Sequence, residues 1–236
     1  MNYGCTQLPH GRNGNIKVTK LVLFGGTGQC RTIIDILKPC IDVIAIYDRV
    51  TIEPIKDVKI FNNRTKFENF CRENNEGNKL NFIVAIGGDH GWERARISSE
   101  LAELGLLPLK LISPKAHISA SSQLGEGIQI LSNTYIGSSS QIGDYTIINN
   151  SSNVDHDCIV GRGCHLAPSS ALAGNVSVGD YSFIGTNATI LPNLSIGSNV
   201  TIGAGAVVTK NVSNNQIVLG CPARVVGENK VEIYRL

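Results

Sequence analysis

The 236-residue chain carries no marked excess of charge. Its 21 Lys and Arg stand against 19 Asp and Glu, a formal net charge of +2, so no electrostatic footprint for nucleic acid is visible. No apolar run approaches the ~20 residues that a membrane-spanning helix needs, and Met1–Lys20 lacks the apolar core of a secretion signal. C-x-x-C pairs are missing as well: the cysteines are seven, an odd number, and no spacing suits zinc. From these absences, and from Cys158 and Cys164 read as free buried thiols, we expect a cytoplasmic protein with no bound metal, no nucleic-acid partner and no membrane insertion.

What is present is a period of six. From Ile118 to Val208 every sixth residue is aliphatic without a break: Ile118, Leu124, Ile130, Ile136 and so on through sixteen positions. That period fits neither an α-helix nor an ordinary strand, but it fits a parallel β-helix. The positions two residues earlier are mostly small or β-branched, among them Ser122, Thr134, Ser140, Cys158, Cys164 and Ser170. A narrow triangular prism wants this pairing: one larger side chain in each face and a small one near each corner. Three hexapeptides make an 18-residue coil, and coils stack at roughly 4.8 Å, so the series predicts about five coils sharing one core. A β-sandwich would not keep sixteen positions in phase.

Ahead of the repeat, Leu21–Phe24 reads as a strand, Gly25-Gly26-Thr27-Gly28-Gln29 as a turn, the residues through Leu37 as a helix, and Val43–Tyr47 as a strand ending at Asp48. This is the opening of a Rossmann-like unit, with an acid placed where it could meet a ribose hydroxyl. Residues 51–62 read as a connection, 65–72 as a helix, Leu80–Ile86 as a strand before Gly87-Gly88-Asp89, 92–104 as a helix and Leu107–Ile112 as a last strand, four parallel strands in all. Both glycine loops follow strand C-termini. Either a phosphate-bearing ligand or a tight structural turn accounts for such loops. The expected organisation is a flexible lead at 1–18, a Rossmann-like α/β domain at 19–113, a β-helix of hexapeptide repeats at 114–210 and a capping tail at 211–236.

A prism packed with side chains has no inner pocket, so its chemistry belongs on the outside. The densest polar group is Asn153-Val154-Asp155-His156-Asp157-Cys158. His156, two residues after Val154, falls on a corner and cannot be core. An imidazole near pH 6.5 suits a general base, and Asp155 or Asp157 could fix its tautomer. Cys158 is on the inward register and makes a poor nucleophile. His165 falls on a different face from His156. If both act, they meet across an interface between neighbouring β-helices, which argues for a closed three-fold oligomer. His117 and His90 are weaker candidates.

Asn153–Gly161, Cys164-His165-Leu166-Ala167-Pro168, Leu172-Ala173-Gly174-Asn175 and Gly220-Cys221-Pro222-Ala223-Arg224 together resemble the NeuD/PglD-like sugar O- and N-acyltransferases, over roughly residues 19–226. The resemblance implies that the β-helix is left-handed, that His156 is the general base with Asp157 as its partner, and that His165, Gly174, Asn153 and Asp155 position substrate or acetyl-CoA. It implies a nucleotide sugar held by Gly25, Gly26, Thr27, Gly28, Gln29, Asp48, Gly87, Gly88 and Asp89. It also implies acetyl-CoA in a groove between subunits of a homotrimer, with its tail framed by Gly203, Gly220, Pro222 and Arg224. The first loop departs from the family's Gly-x-Gly-Gly-His, with Gln29 where histidine is common. The leading expectation is N-acetylation of a nucleotide-linked amino sugar. The alternatives are O-acetylation of sialic acid or a related sugar, and a non-catalytic protein that binds nucleotide sugars on the same scaffold.

Overall fold

The computed structural model describes residues 18–55, 57–77 and 79–229. Residues 1–17 of the expected lead and 230–236 of the expected tail lie outside them. The chain divides into two compact units. One contains the described residues up to Ile86 together with Arg96–Pro114; the other contains Gly87–Ala95 together with Lys115 onward.

The first unit is a five-stranded parallel sheet in the order β3-β2-β1-β4-β5. Along the chain its elements are β1 (Thr19–Phe24), α1 (Gly28–Ile36), β2 (Ile41–Tyr47), β3 (Lys59–Phe61), α2 (Arg64–Asn74), β4 (Asn81–Val84), α3 (Gly91–Glu103), whose last turns from Arg96 on belong here, and β5 (Leu107–Pro108). The apolar run of β1 is buried from Leu21 to Phe24, as a central strand requires. The core gathers Phe24, Tyr47, Phe67, Phe82, Ile97 and Leu101. α2 starts where the Asn63 side chain accepts a hydrogen bond from the Lys66 amide at 3.0 Å, an N-cap. Two expectations need correction. Leu107–Ile112 is not one strand but two, Leu107–Pro108 and Leu111–Ile112, and only the first belongs to this sheet. The stretch 51–62 is not merely a connection, because Lys59–Phe61 pairs with Ala45–Tyr47. Three residues are too few to show a period, and it is the packing of Phe61 against Phe67 and Phe70, at 5.9 and 5.2 Å, that draws them in.

In the second unit all sixteen predicted positions are the second residue of a two-residue strand, from His117–Ile118 to Val207–Val208. Up to Thr189–Ile190 each strand pairs in parallel with the one eighteen residues on, as Asn153–Val154 does with Ala171–Leu172. The first face holds the strands beginning at 117, 135, 153, 171, 189 and 207; the second those at 123, 141, 159, 177 and 195; the third those at 129, 147, 165, 183 and 201. From Ile130 onward every aliphatic of the series is buried. The small register is buried beside it, and its hydroxyls are satisfied by carbonyls of the coil: Ser140 donates to Asp155 at 2.7 Å, Thr146 to Gly161 and Ser182 to Gly197 at 2.8 Å.

From Gly127 onward each corner turns through a residue with positive φ three places before the aliphatic. Asn133, Asp157, Asn175, Asn187 and Asn199 hold such positions at φ 53–60°, a conformation that Asn and Asp tolerate better than most residues. After Val208 the six-residue period breaks because the next coil is two residues short. Ile202 pairs with Val218, sixteen residues on, so the prism continues while its phase slips. Gln216–Gly220 then folds back on Ala223–Glu228 as an antiparallel pair. No helix among the described residues is long and apolar enough to cross a membrane.

Candidate active site

The corner between the first and second faces places His156 in solvent, its side chain 58 % exposed. Three neighbours fix it. Asp155 Oδ1 accepts the His156 amide at 2.8 Å, Asp157 Oδ2 lies 2.8 Å from Nδ1, and Gly174 lies one coil away. A carboxylate can only accept, so Nδ1 carries the proton and Nε2 keeps its lone pair. The hydrogen bond to Asp157, with the charge of Asp155 behind it, raises the imidazole above its ordinary value of 6.5. Asp157 reaches Nδ1 from a left-handed backbone, φ 57°. Gly174 needs no such backbone and is glycine for space: a Cβ there would lie 2.5 Å from Nε2. Asn153 is exposed on the adjoining strand. The arrangement is a proton acceptor aimed past a bare stretch of backbone, held by one acid and tuned by two.

His165 is placed differently. It points out from the third face yet is only 5 % exposed, because residues of the segment 87–95 lie over it. Nδ1 is 3.0 Å from the Gly88 carbonyl and Nε2 is 3.1 Å from the Asn149 amide nitrogen. Burial, helped by the positive charge of Arg94, lowers it to about 4, so it is neutral at pH 7 and weakly basic. The structure does not bring it to His156 within one chain. Cys158 and Cys164 are buried, and burial raises both thiols, that of Cys164 to about 12, which leaves neither suited to nucleophilic attack.

The glycine loops separate between the two units. In the first unit Asp48 is engaged by its own backbone: Oδ2 accepts the Gly26 amide at 2.6 Å and Oδ1 the Val50 amide at 3.0 Å. Gly25 has φ 103° and Gly26 sits against Ile52, whereas a Cβ on Gly28 would meet nothing within 4 Å. Thr27 precedes α1, Gln29 is in its first turn, and Gly87, Gly88 and Asp89 belong to the second unit. At the C-terminal end a Cβ on Gly203 would collide with Leu219, Gly220 has φ 98°, and Pro222 and Arg224 are exposed. His90 is exposed beside Asp89 and Glu93, and His117 stacks on Tyr135.

Sequence reasoning missed Arg94 and Asn149. Arg94 is wholly buried and binds backbone carbonyls of the β-helix. A signal was available, since Arg94 occupies the stripe of α3 that also holds Ile97, Ser98 and Leu101, where a charge is out of place.

A prism of hexapeptide coils with an exposed histidine on its corner defines the class of hexapeptide-repeat transferases. The family described as bacterial transferase hexapeptide (six repeats) matches residues 175–210. Among solved structures, a His-to-Asn variant of perosamine N-acetyltransferase from Caulobacter crescentus, in complex with CoA and GDP-perosamine, is 31 % identical. The match covers 89 % of this chain and 97 % of that one, with a TM-score of 0.80. The acetyltransferase domain of PglB from Neisseria gonorrhoeae FA1090, in complex with acetyl coenzyme A, is 27 % identical over 89 % of this chain and 100 % of that one, TM-score 0.79. WeeI from Acinetobacter baumannii AYE is 25 % identical over 88 % and 100 %, TM-score 0.76. Comparison with curated proteins returns no match. The chain belongs to the hexapeptide-repeat acyltransferases of the PglD-like kind, with an N-terminal α/β region followed by a left-handed β-helix.

Proposed function

We propose that this protein transfers an acetyl group from acetyl-CoA to the amine of a nucleotide-linked amino sugar, with His156 as the general base. The observation that carries this reading is the Asp157–His156 hydrogen bond of 2.8 Å, which commits the Nδ1 proton and leaves Nε2 free beside Gly174. Relatives in complex with CoA, acetyl-CoA and GDP-perosamine support the two substrates. The amine attacks the thioester carbonyl as Nε2 takes its proton. The C–S bond then breaks, and coenzyme A leaves as the thiol by taking the proton that Nε2 now carries. The Gly174 N–H would stabilise the oxyanion, a contribution of about 2.7–4 kcal/mol for such a donor. No covalent enzyme intermediate is required.

In this reading Asp155 and Asn153 orient the corner, and the loops at Gly25–Gln29 with Asp48 and at Gly87–Asp89 receive the nucleotide sugar. Gly203, Gly220, Pro222 and Arg224 frame the tail of acetyl-CoA in a groove between subunits of a trimer. The work is cytoplasmic and serves the building of a surface polysaccharide.

The test is thiol release from acetyl-CoA over a panel of 3-amino and 4-amino nucleotide sugars. His156→Ala should lose most turnover while acetyl-CoA still binds. Gly174→Ala should push the imidazole aside with little change in stability and cost about a hundredfold in turnover, the scale of a misplaced catalytic group. Turnover within about twofold of wild type in His156→Ala would show that another group takes the proton. A product labile to mild alkali would point to O-acetylation.

A further inference from the structure

Arg94 has no part in the chemistry just described, yet it is the bulkiest of the fully buried side chains. Its Nε donates to the Tyr145 carbonyl at 2.7 Å, and Nη2 donates to the carbonyls of Gly163 and Cys164 at 2.7 and 3.0 Å. Tyr145 and Gly163 are eighteen residues apart, the same corner on successive coils. A buried guanidinium is retained only where its donors are met, and this one stays charged, since burial lowers it only to about 10. The backbones touch as well: a Cβ on Gly91 would run into the Gly163 carbonyl. The segment 87–95 is therefore seated on the β-helix at a fixed height.

At the other end of this segment the Gly88 carbonyl meets His165 Nδ1 at 3.0 Å, and Asn149 Nδ2 meets Nε2 at 3.1 Å. A carbonyl accepts and the amide nitrogen donates, so the partners permit a single neutral tautomer, with the proton on Nδ1. Beyond the contact the loop turns outward at Gly88, φ 67°, and presents the exposed Asp89 carboxylate. Such a group suits the hydroxyls of a sugar.

We propose that Arg94 is a positioning residue for the acceptor: its clamp holds Gly87-Gly88-Asp89 on the β-helix in one conformation, with His165 as the strut between that loop and Asn149. This rests on the reading that the loop receives the nucleotide sugar. His165 then acts as a fixed spacer rather than as a second acid or base.

The test is Arg94→Lys in the full chain, which keeps a charge but loses the planar fork. With the amino sugar that wild type turns over, the KM for that sugar should rise about tenfold while the KM for acetyl-CoA stays within about twofold. The ¹⁵N NMR signals of His165 should pass from an Nδ1–H form to a mixture of tautomers. Equal rises in both KM values, or an unchanged sugar KM with an unchanged tautomer, would overturn the proposal. If Arg94→Lys does not fold, the wild type decides. His165 protonated on Nδ1 and silent to titration between about pH 5 and 8 supports the strut, and an Nε2–H form or a titration in that range overturns it. These signals need no turnover. Failure of the acyl-transfer reading would appear separately, as wild type releasing no thiol with any amino sugar.

Discussion

The two histidines of the β-helix show how surroundings assign roles to one side chain. At His156 the ring is in water and its partners are carboxylates, so the imidazole is raised above 6.5. At His165 burial, with the cation of Arg94 nearby, outweighs the Gly88 carbonyl that accepts from the ring, so it falls to about 4. A base must be neutral to act, so activity is expected to rise with pH through an acid limb above pH 6.5. In Asp157→Asn the chief raising influence is gone, so the limb should move to lower pH while the rate on the plateau drops, because the amide no longer fixes the tautomer. A pH profile of kcat/KM for both proteins checks this, and an unmoved limb would remove Asp157 from the role. In the sequence His156 stood out by its two flanking aspartates. His165 was just as visible as a residue, but the partner that decides its protonation lies 77 positions away at Gly88.

At the scale of the element, a coil depends on two kinds of position. The inward aliphatics announce themselves by period. The corners do so less openly, since the left-handed place is taken by Asn, Ser, Tyr, Asp or Gly in different coils. What those residues share is a backbone conformation, and no property of the side chain repeats. Asn187, exposed at φ 57°, isolates the effect. Asn187→Val should destabilise the β-helix by about 1–2 kcal/mol, the cost of a left-handed backbone at a residue with a β-carbon, and Asn187→Gly should cost little. Urea denaturation of the two variants gives the comparison, and equal stabilities would mean that the corner relaxes. The short strand β3 and the two-residue deficit before Val218 escaped the sequence for a related reason: a period is read over several repeats, and each of these features occurs once.

For the whole molecule, the third face carries Ile147 and His165, both buried, His165 beneath Gly88 of the same unit. The first and second faces carry Tyr135 and Ile159, exposed by 41 % and 52 %. His156 sits on the corner between these two open faces, which is where a neighbouring chain would complete a groove for acetyl-CoA. Sedimentation equilibrium should therefore return three chain masses. A stable monomer that still releases thiol at full rate would place the whole site within one chain.

The sequence by itself determined the prism, its register and the corner on which His156 stands, because a six-residue period forces each side chain in or out without help from distant residues. It also marked the strand, glycine turn and helix that open the first unit. Only the tertiary structure decided that Asp48 closes its own loop, that Arg94 is buried, and that residues 87–95 cover His165. Those outcomes depend on hydrogen bonds between groups 22, 51 and 77 positions apart, and spacing along a chain carries no trace of partners that far away.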